Sequence, residues 1–256
     1  MTPQDLHAIA FGFLSGALIL MTGVGAGVIV VPGLIALFGM PPSLAIGTAS
    51  LFSVLTKIMA GLSHLRQGNV SKTLSLSFGR IALPATICAA LLVNGLLAWL
   101  PDARGSIQLS LKVAVVLAAA SAMALMFLPG LNLAMRQTGP YFLPTLCGAL
   151  VGATGVGGGV LIVPALMTMS TETAKRVVGT SVVLGLVLSI ATGLVYGAAG
   201  ALAWRVALLM TAGALVAMPV AGHLFKRASE KQVKALSAVL IAISVVAMLI
   251  DIVSRR

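Results

Sequence analysis

The stretch TGVGAGVIVVP, residues 22–32, lies inside a long apolar segment and returns as TGVGGGVLIVP at residues 154–164, 132 positions later. Both copies place glycines at every second position and end in a proline. Glycine in a helix interior costs about 1 kcal/mol relative to alanine, and proline cannot donate a backbone hydrogen bond but suits the first turn of a helix. The repeated stretch therefore predicts that a helix stops and another begins in the middle of each apolar segment.

The composition indicates which solvent surrounds the chain. Of the 256 residues, 59% are hydrophobic and only 8% are charged, whereas a soluble domain carries about 25% charged residues. So few charges cannot cover a water-facing surface. Apolar runs of about 20 residues, long enough to cross a bilayer as helices, recur along the chain. We therefore predict an all-α polytopic membrane protein that is surrounded by the lipid bilayer.

The internal repeat extends beyond the glycine motif. Without a gap, residues 11–70 align with residues 143–202 in a shared framework of glycine, threonine and proline. Outside the motif this framework includes the pairs Gly47/Gly179, Thr48/Thr180, Gly61/Gly193 and Gly68/Gly200. We therefore predict two homologous halves, residues 1–135 and 136–256, that form one integral membrane domain.

Each half is expected to contain four apolar segments, about eight in all. They span residues 8–37, 44–63, 74–100 and 107–128 in the first half, and 141–169, 177–200, 203–224 and 232–253 in the second. The first segment of each half holds the motif and runs about 30 residues, too long for one crossing and too short for two at a helical rise of about 1.5 Å per residue. The favoured interpretation is a re-entrant hairpin with the glycine-rich turn at its tip, since unwound backbone at that depth must be buried or line a wet cavity.

The distribution of loop charges supports the hairpins. If all eight segments simply crossed, seven cationic residues would lie on one side and eight on the other. With hairpins the division becomes ten against five, and the positive-inside rule then places both termini on the non-cytoplasmic side. Each half would cross an odd number of times, which makes the halves inverted repeats, the usual plan of secondary transporters.

Several classes of protein are disfavoured. The net charge of +11 comes from lysines and arginines scattered between apolar segments, so it does not indicate nucleic-acid binding. Cys88 and Cys147 lie in apolar runs without metal-ligand spacing, and neither a metal site nor a disulfide is predicted. No Ser/His/Asp set or carboxylate pair indicates an enzyme, and no cofactor is expected. The N-terminal residues include Asp5 but no basic residue, unlike a signal peptide, so we expect the first apolar segment to stay in the mature protein.

The broken helices predict an anion site. A helix that starts at about residues 25–27 directs free N–H groups and the positive end of its dipole at the membrane midplane, and glycines let a ligand approach that backbone closely. The second copy offers the same at about residues 157–159. Two such ends that face each other would bind an anion. The alternative is that the glycines only allow close helix packing.

The candidate binding residues include side chains as well as backbone. Hydroxyl groups that follow the motifs could bind an oxyanion or bond to neighbouring helices; these belong to Thr48, Ser50, Ser53, Thr180 and Ser181. Lys57 is the one charge well inside a predicted crossing, and buried lysines usually face a cavity or a partner. It is interpreted as a partner for the anion or as a side chain that reaches the interface. The full candidate set is Thr22, Gly23, Gly25, Ala26, Gly27, Thr48, Ser50, Lys57, Thr154, Gly155, Gly157, Gly158, Gly159, Thr180 and Ser181.

A proton carrier is not obvious in the sequence. The five carboxylates fall in loops, at termini or near the end of the last segment, and none is expected at mid-membrane. A coupled proton would then travel on the substrate, or on His64 or Lys57. His64 aligns with Tyr196, which is compatible with a polar vestibule, although an interfacial position is expected.

The duplicated motif, each copy followed by a Gly-Thr pair, resembles the TauE/SafE sulfite exporter family, also called the toluenesulfonate uptake permease family. The resemblance covers essentially the whole chain. It implies a multi-pass transporter of the bacterial or archaeal inner membrane that moves sulfite, organosulfonates or other sulfur-containing anions. The family residues carried over are Gly23, Gly25, Gly27, Pro32, Gly155, Gly157, Gly159 and Pro164, together with Thr48 and Thr180.

The sequence leaves several points open. Ala26 stands in the first copy where the second has Gly158, which restricts the approach to that backbone. An anion channel of the same architecture and a transporter of a non-sulfur anion remain alternatives. The substrate, the direction of transport, the coupling ion and the formation of a homodimer are also undecided.

Overall fold

The computed structural model describes residues 3–22, 26–127, 140–156, 159 and 161–225, with residues 239, 242–243, 245–246 and 248–250. Within these ranges the chain forms helices and connecting turns without a strand. The helices are α1 (Pro3–Thr22), α2 (Ala26–Phe38), α3 (Pro42–Arg66), α4 (Lys72–Trp99), α5 (Arg104–Phe127), α6 (Phe142–Thr154), α7 (Ile162–Met169), α8 (Ala174–Ala198) and α9 (Trp204–Phe225). A short 3-10 turn, Pro101–Ala103, precedes α5. The predicted segment 232–253 and most of the connector between the halves lie outside the described residues.

Four helical stretches in the described part of the chain are long and apolar enough to cross a membrane. They are Pro42–Arg66, Lys72–Trp99, Pro101–Ser121 and Ala174–Ala198, and shorter apolar helices occur at Gly27–Phe38, Phe142–Thr154 and Trp204–Ala217. This architecture agrees with the predicted polytopic α-helical class. Of the long helices, α3 and α8 are the more buried, whereas α4 and α5 expose most of their residues. The centre of the molecule is therefore formed by α3 and α8.

The motif segments lie between consecutive helices. In the first, α1 spans Pro3–Thr22 and α2 spans Ala26–Phe38, and residues 23–25 lie outside the described residues; in the second, α6 ends at Thr154, Gly155 has a left-handed backbone, and α7 begins at Ile162. The prolines differ in their positions. Pro164 lies in the first turn of α7, as predicted, but Pro32 lies inside α2, because that helix already begins at Ala26.

The helices that pack most extensively against each other come from different halves of the chain. Helix α1 packs along α9, α6 packs along α4, and α3 packs against α8. Gly16 of α1 is so close to Ala214 of α9 that a Cβ on the glycine would overlap it, and Gly148 of α6 meets the backbone of Ala82 in the same way. Small residues allow such close approach between membrane helices. The spacing of 132 residues relates Gly16 to Gly148 and also Ala82 to Ala214.

Candidate functional site

The two glycine motifs meet in the structure. Gly27, at the start of α2, lies against Gly155 and Val156, and a Cβ on Gly27 would overlap the Gly155 carbonyl oxygen. Only glycine fits there, because backbone leaves no room for a side chain. The fold thus brings together two candidate residues from opposite halves of the chain.

Gly155 ends α6 in the left-handed conformation. Its φ angle is +66°, which favours glycine, and its N–H donates to the Val151 oxygen at 2.9 Å. The Thr154 hydroxyl donates to the Leu150 oxygen at 2.6 Å and accepts the Val156 N–H at 3.2 Å. This hydroxyl therefore stabilises the turn.

The surroundings of the contact are apolar and closed. Val28, Val30 and Val31 of α2 are fully buried, as are Val156 and Ile162 on the other side of the contact. Unwound backbone inside a membrane requires such cover.

Part of the candidate set lies outside the described residues. This applies to Gly23, Gly25, Gly157 and Gly158, and to the side chains of Thr22 and Ala26. Gly159 is described and buried, and its oxygen accepts the Val163 N–H at 3.1 Å.

Each threonine of the two Gly-Thr pairs accepts a hydrogen bond from the residue that precedes a helix of the opposite half. The Thr48 hydroxyl donates to the Leu44 oxygen at 2.7 Å and accepts the N–H of Ala203, the residue before α9, at 3.0 Å. The Thr180 hydroxyl donates to the Arg176 oxygen at 2.7 Å and accepts the N–H of Ser71, the residue before α4, at 3.0 Å. Both hydroxyls thus already have a donor and an acceptor in the backbone.

The glycines of the same pairs touch the connecting turns. A Cβ on Gly47 would overlap the Ala201 oxygen, and a Cβ on Gly179 would overlap the Asn69 oxygen. The same spacing of 132 residues relates Gly47 to Gly179 and Asn69 to Ala201. Sequence reasoning missed these contacts, because a hydroxyl or glycine in one half gives no local sign of its partner in the other.

Two further candidate hydroxyls bond within their own helices. The Ser50 hydroxyl donates to the Ile46 oxygen at 2.8 Å, and the Ser181 hydroxyl donates to the Val178 oxygen at 2.7 Å. Both side chains are buried. Each oxygen retains acceptor capacity but has used its proton in the helix.

A buried polar cluster lies where α3 crosses α8. The hydroxyls of Ser53 and Ser189 are 3.1 Å apart. Lys57 follows Ser53 by one helical turn and is only 8% exposed. Within the described ranges no residue forms a hydrogen bond or ion pair with its ammonium group. The repeat aligns Lys57 with Ser189, so the cation belongs to one half only.

Comparison with known proteins places the chain in a family. The family model for the sulfite exporter TauE/SafE matches residues 8–248. The chain belongs to the TauE/SafE family. It is 26% identical over 254 residues to the probable membrane transporter protein YjnA of Bacillus subtilis strain 168, a match that covers 94% of this chain and 98% of the relative. No solved structure matches the chain significantly. The resemblance seen in the sequence is confirmed, and this TauE/SafE protein is a multi-pass membrane transporter.

An ion pair at one end of this TauE/SafE protein was not predicted. Asp5, expected in a terminal loop, lies in the first turn of α1, is buried, and pairs with Arg205 of α9 at 2.9 Å. The pair borders a cavity of about 860 Å³, whose floor includes Phe11 and Phe38. The two charges are 200 residues apart in the sequence, and no local pattern joins them.

Proposed function

We propose that this protein is a secondary transporter that moves a small sulfur-containing anion, sulfite or an organosulfonate, across the bacterial inner membrane. The observation that carries the proposal is the contact between Gly27 and Gly155. It brings the two copies of the family motif together in the buried centre of the chain. The anion would bind at the midplane between the two breaks, next to the N–H groups at the start of α2 and of the chain that leads into α7.

Lys57 would supply the positive charge of the site. An ammonium group that is buried without a partner is costly in a membrane protein, and such groups usually mark a substrate pathway. A bound anion would offset that cost, and the desolvated pair would be stronger than the same pair in water. Ser53 lies one helical turn away with Ser189 of α8 beside it, and the serine that does not donate to the other would give a hydrogen bond to an oxyanion.

Two inverted repeats would make the transport cycle symmetric. We assign residues 1–135 and 136–256 to the halves. The reciprocal bonds Thr48–Ala203 and Thr180–Ser71 support a two-fold relation, because the repeat spacing converts each bond into the other. Rocking of one half against the other would open the site to each side in turn. The loop charges then favour termini on the non-cytoplasmic side.

The rest of the candidate set stays assigned to the substrate on the strength of its position. Thr22, Gly23, Gly25 and Ala26 adjoin the first break, and Thr154, Gly157, Gly158 and Gly159 adjoin the second. For Thr48, Ser50, Thr180 and Ser181 the backbone bonds favour a structural role, because a hydroxyl binds an oxyanion by donating the proton that each of these already gives to a backbone oxygen. An anion channel with the same helix ends remains the second candidate.

Counterflow of labelled sulfite into proteoliposomes tests the proposal. The wild type is compared with Lys57→Ser, which introduces the residue type of the repeat mate Ser189, and with the control Lys72→Ser at an exposed helix start. We expect saturable exchange in the wild type and in the control, and at least about a tenfold loss of kcat/KM in Lys57→Ser, since hydrogen bonds to charged groups contribute about 1.5–3 kcal/mol.

The outcomes separate the candidates. Sulfite flux without saturation or counterflow would indicate a channel. No exchange by folded wild-type protein would reject sulfite, and competition by thiosulfate, sulfoacetate or sulfate in an active preparation would show which anion the site prefers. Unchanged exchange by Lys57→Ser would remove the lysine from the site.

A further inference from the structure

His64 lies near the end of α3 and packs against the start of α8. A Cβ on Gly179 would be only 3.1 Å from its Nδ1 atom. The His64 backbone oxygen accepts the Asn69 N–H at 3.0 Å, in the turn that leads to α4. The Nδ1 edge of the imidazole therefore lies where α3, the turn and α8 meet.

The Nδ1 atom of His64 is buried and has no hydrogen-bond partner in the described part of the chain. An unsatisfied buried polar group costs about 1–3 kcal/mol, and such groups call for a specific explanation in a native structure. In a transporter, a hydrogen-bond partner that binds during only part of the transport cycle would explain such a group.

The position that corresponds to His64 in the second half, Tyr196, lies close to the second glycine motif. Tyr196, its repeat mate, is fully buried and lies beside Gly47 as His64 lies beside Gly179. The Tyr196 hydroxyl donates to the Ala153 oxygen at 3.3 Å, two residues before Gly155 of the second glycine turn. The second half therefore has a hydrogen bond from this tyrosine to α6 just before its glycine turn, and the first half has an imidazole Nδ1 atom without a partner at the matching position.

In the described part of the chain Lys57 is assigned to the anion, and the carboxylates and His7 are paired or lie near helix ends. Asp5 and Glu172 are paired with arginines, and Asp102 lies in the 3-10 turn before α5. His7 is exposed at the start of α1. Among the described residues, His64 is therefore the histidine with a buried ring nitrogen, and histidine is the side chain that titrates near neutral pH.

The charges on the elements around His64 are mostly positive. They are Lys57 and Arg66 on α3, Lys72 and Arg80 on α4, Glu172 just before α8, and Lys175 and Arg176 in its first turn. Such surroundings attract an oxyanion. Because linkage is reciprocal, an anion that favours a proton on the imidazole is itself bound more tightly when that proton is present.

We propose that His64 binds the proton that is transported together with the anion. The Nδ1 atom takes up a proton when the anion occupies the site, and releases it after the site has opened to the other side. The proposal rests on the transporter function proposed above, and it assigns the coupling to a single half of the repeat.

The test compares two readouts in the same proteoliposomes: counterflow of labelled sulfite without a pH gradient, and accumulation driven by a gradient of one pH unit with the acidic side outside. One proton per anion corresponds to about tenfold accumulation for that gradient. The variants are His64→Tyr, which introduces the residue type of Tyr196, and His64→Gln, which keeps a neutral side chain of similar size. His7→Tyr is the exposed control.

We expect the wild type and His7→Tyr to accumulate sulfite several-fold. Both His64 variants should retain counterflow with a raised KM, because the coupled proton no longer strengthens anion binding, and should lose gradient-driven accumulation. The pH gradient changes the protonation of sulfite in the same way in every preparation, so a difference between the variants reports on residue 64. Accumulation that persists in the His64 variants, or is absent in a wild type with counterflow, overturns the proposal. A wild type without counterflow instead overturns the proposed sulfite transport, and the coupling proposal with it.

Discussion

Gly27 lies against the carbonyl oxygen of Gly155, so the backbones of two copies of one motif touch where a side chain would separate them. The two residues are brought together from opposite halves of the sequence. This contact fixes how close the start of α2 lies to the turn that follows α6.

The contact predicts that Gly27→Ala destabilises the protein. A Cβ would displace backbone, and overpacking of this kind costs about 1–3 kcal/mol. The matched control is Gly95→Ala in α4, where an added Cβ meets nothing within 4 Å. We expect thermal unfolding in detergent to show a lower Tm for Gly27→Ala and an equal or slightly higher Tm for the control, since alanine is the better helix former. Equal melting of both variants would show that the two turns are not in contact.

The reciprocal threonine bonds predict a matched pair of effects. Thr48→Val and Thr180→Val each remove the acceptor for the N–H before a helix, a loss that costs about 1 kcal/mol at helix caps. Both variants should therefore lower stability by similar amounts and change the apparent KM for sulfite by less than about twofold. Thr145→Val, whose exposed hydroxyl donates to the oxygen of Tyr141 at the start of its own helix, serves as the control. A large rise in KM with unchanged stability would instead assign these hydroxyls to the anion.

The Asp5–Arg205 pair predicts an asymmetric result. The Asp5 side chain is 9% exposed and the Arg205 side chain 69% exposed. Arg205→Gln leaves a buried carboxylate without its arginine, whereas the double variant Asp5→Asn/Arg205→Gln removes both charges. We expect the double variant to unfold at a higher temperature than Arg205→Gln alone. If it is less stable by the sum of the two single variants, the pair has no coupling.

The sequence predicted the features that depend on local chemistry. Alternating glycines before a proline indicated where α1 and α6 end, because glycine disfavours a helix whatever surrounds it. The position of Pro32 inside α2 could not be predicted, because the same motif places Pro164 in the first turn of α7.

The parts that could not be predicted depend on partners distant in sequence. Thr180 was interpreted as a ligand for an oxyanion because its hydroxyl is visible in the sequence, but its N–H partner at Ser71 is 109 residues away. His64 was expected at an interface because it lies near a helix end, and only the packing of α8 shows that its Nδ1 atom is buried. Both the partner of Thr180 and the burial of the His64 Nδ1 atom depend on how helices of the two halves pack against each other.

The most direct test of the central claim is sulfite counterflow in proteoliposomes that contain wild type, Gly25→Val or Gly157→Val, with folding checked by the elution profile and melting of each preparation. Each variant adds a side chain to one of the two motif copies. The account predicts saturable exchange in the wild type and its loss in both variants while each remains folded. Robust exchange in both folded variants would contradict an anion site between the two turns and leave the glycines a role in helix packing alone.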